Sequence, residues 1–525
     1  MVKNHIQRKI FLAIFLLISA CLVAQSRPRL VVFVTIDGLQ TSHLAALQNK
    51  FEKGGLRLLG DGLTIPAAAC DYQSNGSVVD LASLVTGSVP RYHGVTGTQR
   101  YDVVEDDMMP IFYDGRFHGI NSELSLSPRQ MATTSFSDVV KLSDDGCRSF
   151  VVALDADHAL ALGAHTADGA VWIDDKMASL ATTNFYEQGL PAWADKVNQS
   201  HTIGNYLLYE WRPLYDIGTY RNAPIHYEDG VFSQSFENQA VDEQVYRFKH
   251  SPFVNTLMKD LAVRALRDEK LGLDARLDFL AVEFSVRLPN EQGSGYLSAE
   301  KEDIYLRLDH DLRLFFDALD LTVGKENALI VVVGTSGEND SLRRLSRAQV
   351  QNGQFNAKRA MALLNSYLMA IYGQGRYVSG YAARNIYLNK TFIDKQKIDR
   401  QALEQYVAQF MTEFQGVQNA YTSAEIKAAP ACGSDELSRI HNSAFKNACG
   451  DVVFTLLPGW MEVNDRNEAI GVSSRQQVAL PVYIFGADLT PQTITRANIT
   501  DIVPTLCQML SLPLPNGCVG EGVVR

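Results

Sequence analysis

Hydrophobic and polar positions follow two rhythms along this chain. Short β-rich apolar runs end abruptly in polar residues or glycine at Leu30 to Ile36, Phe150 to Leu154, Phe279 to Phe284, Ala328 to Val333 and Val482 to Phe485. Unbroken runs of this length predict strands buried on both faces of a largely parallel sheet. Between them lie amphipathic stretches, clearest from Glu302 to Leu319, where Ile304, Leu308, Leu312, Phe315 and Leu319 recur at helical spacing. That spacing predicts an outer helix packed on the sheet. Together the two rhythms predict an α/β fold: a doubly wound, largely parallel sheet flanked by helices, its ligand site beyond the carboxyl ends of the strands.

Two segments depart from the pattern, 172–249 and 341–462, both rich in aromatic and turn residues and without strong strand runs. They are read as cap or lobe regions inserted into one domain spanning 27–525. Ahead of that domain, Lys3, Arg8 and Lys9 precede the apolar stretch Ile10 to Ile18, the layout of an export signal rather than a membrane span. Two cleavage sites fit. Val23-Ala24-Gln25 suits ordinary cleavage of a signal peptide over 1–24, and Ile18-Ser19-Ala20-Cys21 suits a lipoprotein signal with a lipid anchor on Cys21. No later stretch approaches the roughly 18 apolar residues of a spanning helix, so the mature chain is expected to be soluble or lipid-anchored, in the periplasm or at the outer membrane.

Export changes the reading of cysteine. Six remain beyond Cys21, and short separations favour Cys432 with Cys449 and Cys507 with Cys518, leaving Cys70 for Cys147, although spacing does not fix connectivity. The other reading is a set of buried free thiols. With 46% apolar and 20% charged residues the chain is globular, and its net charge of −11 becomes more negative once the basic leader is removed. Such a surface repels a phosphate backbone, and no basic cluster interleaved with aromatics offsets it, so nucleic acid is excluded as a partner.

Candidate chemistry begins where the first strand ends. Asp37-Gly38 places a carboxylate at the sheet edge, where it is either a metal ligand or plain turn chemistry. Ser77 opens the predicted helix Val78 to Val85 and is either a cap or a nucleophile, since a helix N-terminus favours an oxyanion.

These positions fall within ordered matches along nearly the whole mature chain: Val34 to Gly38, Leu84 to Gly94, Gly163 to Asp168, Leu190 to Trp193, Tyr305 to Asp309, Leu457 to Glu462, Ile499 to Thr505 and Pro515 to Cys518. On them the chain resembles the alkaline phosphatase superfamily, in the branch of PafA-type periplasmic phosphomonoesterases and nucleotide pyrophosphatase/phosphodiesterases. The resemblance implies two zinc ions held by six Asp and His ligands around a Thr or Ser nucleophile, the paired ions stabilising entering and leaving oxygens. Carried over, Asp37 is the first ligand and Ser77 the nucleophile position.

The other five ligand positions carry no ligand. Leu288 and Gln292 stand where the resemblance implies Asp and His, Thr335 and Ser336 replace Asp-His, and Ile470 falls at the last His. The phosphate-gripping positions have changed too. Thr98 replaces an Asn, and Asp155 and Asp157 replace a Lys and an Arg, so attraction to a phosphate becomes repulsion. Asp155, Asp157 and His158 form an exposed acidic loop or, with Asp37, a new cation site; Asn290, Glu291, Glu338, Asn339 and Asp340 are solvated loop carboxylates or a site for a hard cation. Losses in all three classes of group point to a catalytically inactive pseudophosphatase, a binding or scaffold component of the bacterial envelope with no cofactor and an unknown protein or ligand partner. Retention of Asp37 and Ser77 keeps open an active phosphatase or phosphodiesterase with a non-standard metal site. A degenerate pocket that binds a sugar, nucleotide or peptide without turnover is the third reading.

Overall fold

The computed structural model describes residues 27–524 apart from 103, 223–230, 238, 290–296, 337–351, 432, 434, 464–477 and 488. The leader, with its two cleavage readings, and the loop carboxylates Asn290, Glu291, Glu338, Asn339 and Asp340 lie outside the described residues. Eight strands build the body of the central sheet: β1 (Leu30–Asp37), β2 (Leu63–Ala69), β3 (Ser149–Val152), β4 (Gly169–Asp174), β5 (Ser179–Thr183), β6 (Asp278–Ser285), β7 (Ala328–Thr335) and β8 (Ala479–Gly486). Their spatial order is β2-β8-β7-β1-β6-β3-β4-β5, with the short strands Gln492–Thr493 and Gly119–Ile120 at the edges. From β7 to β4 the five central strands are parallel. β8 runs antiparallel between β7 and β2, and β5 antiparallel to β4.

Strand parity builds two cores. Leu30, Val32, Val34 and Ile36 face a layer containing α4 (Pro252–Asp268) and α5 (Ala299–Thr322). Val31 and Phe33 face the opposite layer, which holds α1 (Ser77–Thr86) and α2 (Ala156–Gly163). Asp37 shares the parity of Phe33, and pairs in register with Ser285 on β6 and Thr335 on β7. The carboxyl ends of the three central strands thus converge beside the N-termini of α1 and α2, as a doubly wound sheet requires of its ligand site.

The outer-helix expectation is corrected for α5. Glu302, Asp303 and Asp309 are buried, because residues 50–56 cover Asp309 and part of Glu302, the Glu52 and Leu56 N–H groups donating to Asp309, and chain from the first departing segment covers Asp303 and the rest of Glu302. Trp211 and Tyr220 from that segment both hydrogen-bond Asp303. The same segment contains β5, which extends the main sheet, and α3 (Val241–Lys249), which carries Lys249 towards the carboxyl end of the sheet. In the second segment, strands Val378–Ala382, Asn385–Leu388, Val452–Leu456 and Val417–Thr422 form an antiparallel sheet with its own hydrophobic cluster. Among the described residues no helix is long and apolar enough to cross a membrane.

The expected pairings of Cys507 with Cys518 and of Cys70 with Cys147 are also corrected, and that of Cys432 with Cys449 falls on a residue outside the described ones. Cys70, Cys147, Cys449, Cys507 and Cys518 are free thiols, and Cys432 lies outside the described residues. Cys70 follows β2 and Cys147 precedes β3, five strand positions away; at about 4.8 Å per strand that is roughly 24 Å, far beyond a disulfide's reach. Cys518 directs its thiol to the Gly520 carbonyl at 3.7 Å, while Cys507 is buried in the core.

Candidate functional site

At the carboxyl edge of β1, Asp37 Oδ1 accepts the Ser77 hydroxyl at 2.6 Å and the Thr335 hydroxyl at 3.1 Å. Ser77 Oγ also lies 2.6 Å from Ser336 Oγ. The chain enters α1 through Gly76 at φ +114°, and the N-cap position makes no side-chain hydrogen bond, so Ser77 sits at a helix N-terminus that its N-cap residue leaves uncapped. Beyond β7, Ser336 adopts φ +63°, a left-handed turn that brings its hydroxyl back over Ser77.

The charge facing Asp37 belongs to an arginine. Arg287 Nη1 lies 3.6 Å from Asp37 Oδ2. Burial works to raise the Asp37 pKa, but the Arg287 cation, the Ser336 and Ser77 hydroxyls and His158 outweigh it and hold the group below the ordinary carboxylate range. Nearby, His250 donates from Nδ1 to the Tyr246 carbonyl at 2.8 Å, and burial together with the Arg287 charge lowers it to about 3, leaving it neutral.

A second group of charges adjoins at α2. His158 Nδ1 lies 2.6 Å from Oε1 of Glu283 on β6, and Oε2 accepts the Leu154 N–H at 2.8 Å. Burial opposes protonation of His158, yet Glu283, Asp157 and Asp155 raise its pKa well above the ordinary value. Asp155 and Asp157 are not a loose acidic loop. They open α2, and Asp155 accepts from Lys249 Nζ at 2.7 Å, which also reaches Asp175 at 2.5 Å. Lys249 and His158 overcome burial to lower Asp155 to about 2, whereas burial and then Asp155 push Asp157 up.

Behind Ser77, Asp80 is fully buried and accepts from Tyr72 Oη, Ser74 Oγ and the Ser336 N–H. Burial pushes its pKa up to about 6 despite these donors. A folded-state pKa above the unfolded value makes the native state hold more protons between about pH 4 and 6. Stability from this group therefore falls as pH rises through that window, by on the order of 3 kcal/mol, and is flat above it. The unfolding free energy of wild type minus that of Asp80→Asn, from urea titrations, is expected to shrink by that amount from about pH 4 to 7. A pH-independent difference would refute the assignment.

The structure brings Asp37, Ser77, Thr335 and Ser336 into contact and places Asp155 and Asp157 beside them through His158. Thr98 stands on an exposed turn, its carbonyl accepting from the Ile111 N–H. Gln292 and Ile470 lie outside the described residues, and Leu288, half-buried after β6, offers no donor atom on its side chain. This set does not fit a pair of zinc ions: two of its members are hydroxyls, one is aliphatic, and a fixed cation faces the single carboxylate. Among the described residues no three His, Cys, Asp or Glu side chains are grouped as metal ligands. Sequence reasoning passed over Arg287, Glu283, Lys249 and His250. Glu283 alone left a signal, as a carboxylate inside an otherwise apolar strand.

A sequence model of the type I phosphodiesterase / nucleotide pyrophosphatase family matches residues 31–479. The alkaline phosphatase PhoV of Synechococcus elongatus is 26% identical over 519 residues, covering 94% of this chain and 92% of its own. The alkaline phosphatase PafA of Elizabethkingia meningoseptica is 25% identical over 535 residues, 97% of each chain. The crystal structure of wild-type PafA superposes with a TM-score of 0.84 at 22% identity, covering 95% of this chain and 98% of that one, a likeness of fold.

Proposed function

The chain belongs to the type I phosphodiesterase / nucleotide pyrophosphatase family, in the PafA-type branch of the alkaline phosphatase superfamily, and from that premise we propose that it is a catalytically inactive pseudophosphatase. In this reading it is exported and serves the bacterial envelope as a binding or scaffold component. One observation carries the reading: the surviving ligand position, Asp37, is engaged by two hydroxyls and an arginine. The acidic pair at the phosphate-gripping positions supports it, since Asp155 and Asp157 oppose a phosphate dianion where the family resemblance implies cations.

The contact between Ser77 and Asp37 favours the alternative, an active hydrolase with Ser77 as nucleophile. Yet a carboxylate held below its ordinary range is a weak base for taking a hydroxyl proton near neutrality. Elemental analysis of the purified mature protein is expected to find zinc well below one ion per chain. Turnover of chromogenic phosphate mono- and diesters is expected at the buffer rate, unchanged by Ser77→Ala. Stoichiometric zinc with turnover abolished by Ser77→Ala would sink the proposal.

A further inference from the structure

We propose that Arg287 is a built-in cation that has taken over the electrostatic place of a metal ion beside Asp37, acting as a positioning residue for Asp37 and, through it, Ser77. The inference rests on the metal-free reading above and deepens it. Asp37 is 8% exposed, and an ionised carboxylate so placed needs an opposite charge or its proton back. Its two oxygens divide the work. Oδ1 takes both hydroxyls, of Ser77 and Thr335, while Oδ2 is turned to the guanidinium. The guanidinium thus supplies the positive charge that a metal ion would supply at this carboxylate.

The backbone is arranged to keep the guanidinium there. The Val286 N–H donates to the Asp37 carbonyl at 2.9 Å, tying the end of β6 to the end of β1, and the Arg287 N–H donates to Ser285 Oγ at 3.2 Å. Gly38 turns away at φ +80°, and a Cβ there would stand 2.9 Å from Arg287 Cγ, so the glycine is required both by its conformation and by the arginine stem. The neighbouring cations are committed elsewhere: His158 to Glu283, and Lys249 to Asp155 and Asp175. A guanidinium keeps its charge at any physiological pH and is not removed by a chelator.

The decisive experiment refills four of the five lost ligand positions with Leu288→Asp, Gln292→His, Thr335→Asp and Ser336→His, with Arg287 kept or changed to alanine, and titrates both proteins with zinc. Removal of Arg287 is expected to tighten zinc binding by roughly a hundredfold, because the fixed charge repels the ion. Equal affinity would overturn the proposal while leaving the inactive reading intact, whereas stoichiometric zinc in the wild type would overturn both. A second measurement avoids the refilled variants should they fail to fold: carboxyl-carbon NMR titration of Asp37 in wild type, Arg287→Lys and Arg287→Met. The Asp37 pKa is expected to stay low in wild type and Arg287→Lys and to rise by about one unit or more in Arg287→Met. An unmoved value in Arg287→Met would likewise overturn it.

Discussion

Replacement of His158 by alanine is expected to cost about 3–5 kcal/mol of folding stability, because it strands the Glu283 carboxylate inside the central sheet. Glu283 is 1% exposed, and of its two partners the Leu154 N–H serves one oxygen while His158 supplies the charge at the other. The variant must either bury an unpaired anion or bind a proton at Glu283, whose pKa burial already raises. Adding Glu283→Gln removes the charge and should recover much of the loss, so that the two substitutions are strongly non-additive in urea unfolding. The pH dependence has a definite sign. Because the folded pKa of His158 is raised, its stabilising contribution is complete below the unfolded histidine value near 6.5 and is lost as pH rises through the higher folded value. Wild type should therefore lose stability on the alkaline side, and the double variant should not show that loss. A single His158→Ala cost under about 1 kcal/mol would mean that the pair carries no such charge.

The fold was legible because parallel strands buried on both faces leave unbroken apolar runs. Leu30 to Ile36 became Leu30–Asp37 and Ala328 to Val333 became Ala328–Thr335, the small extensions being the polar residues that reach the site. Asp37 and Ser77 were legible as a strand end and a helix start. Their hydrogen bond was not, since nothing in the sequence spacing says that the two meet. Arg287 carries no signal in the sequence, because it stands among positions where the resemblance implies donors to a metal, and a cation has the wrong sign for that role. Lys249 ends a segment with little strand pattern and His250 follows it, and only the packing of α3 against the body brings Lys249 to Asp155. The leftover pairing of Cys70 with Cys147 failed for a related reason: the order of strands in the sheet separates the two, and strand order is a long-range property that spacing does not encode.

Asp303→Ala should be the other severe substitution, with an expected loss of about 4 kcal/mol and a local rather than uniform loosening. Asp303 lies on α5 with no solvent exposure and accepts four donors: Trp211 Nε1 at 2.8 Å, Tyr220 Oη at 2.5 Å, the Leu214 N–H at 2.7 Å and Arg307 Nε at 2.8 Å. Three of these come from the covering segment, and Trp211 and Tyr220 are themselves buried, so alanine leaves their polar atoms without partners while opening a void beneath them. Each stranded donor costs about 1–3 kcal/mol in isolation, and relaxation of the segment towards water limits the sum. That relaxation is the measurable consequence. Arg221 follows the docked stretch and precedes Asn222, whereas the bond after Arg212 is closed to trypsin by Pro213, so trypsin should cut after Arg221 in Asp303→Ala under conditions that leave wild type intact. Since this stretch precedes α3, loosening it should also free Lys249 from Asp155, and the Asp155 pKa should rise from about 2 towards the ordinary value. Cleavage at the same rate in both proteins would show that hydrophobic burial of Trp211 and Tyr220 holds the segment without the carboxylate.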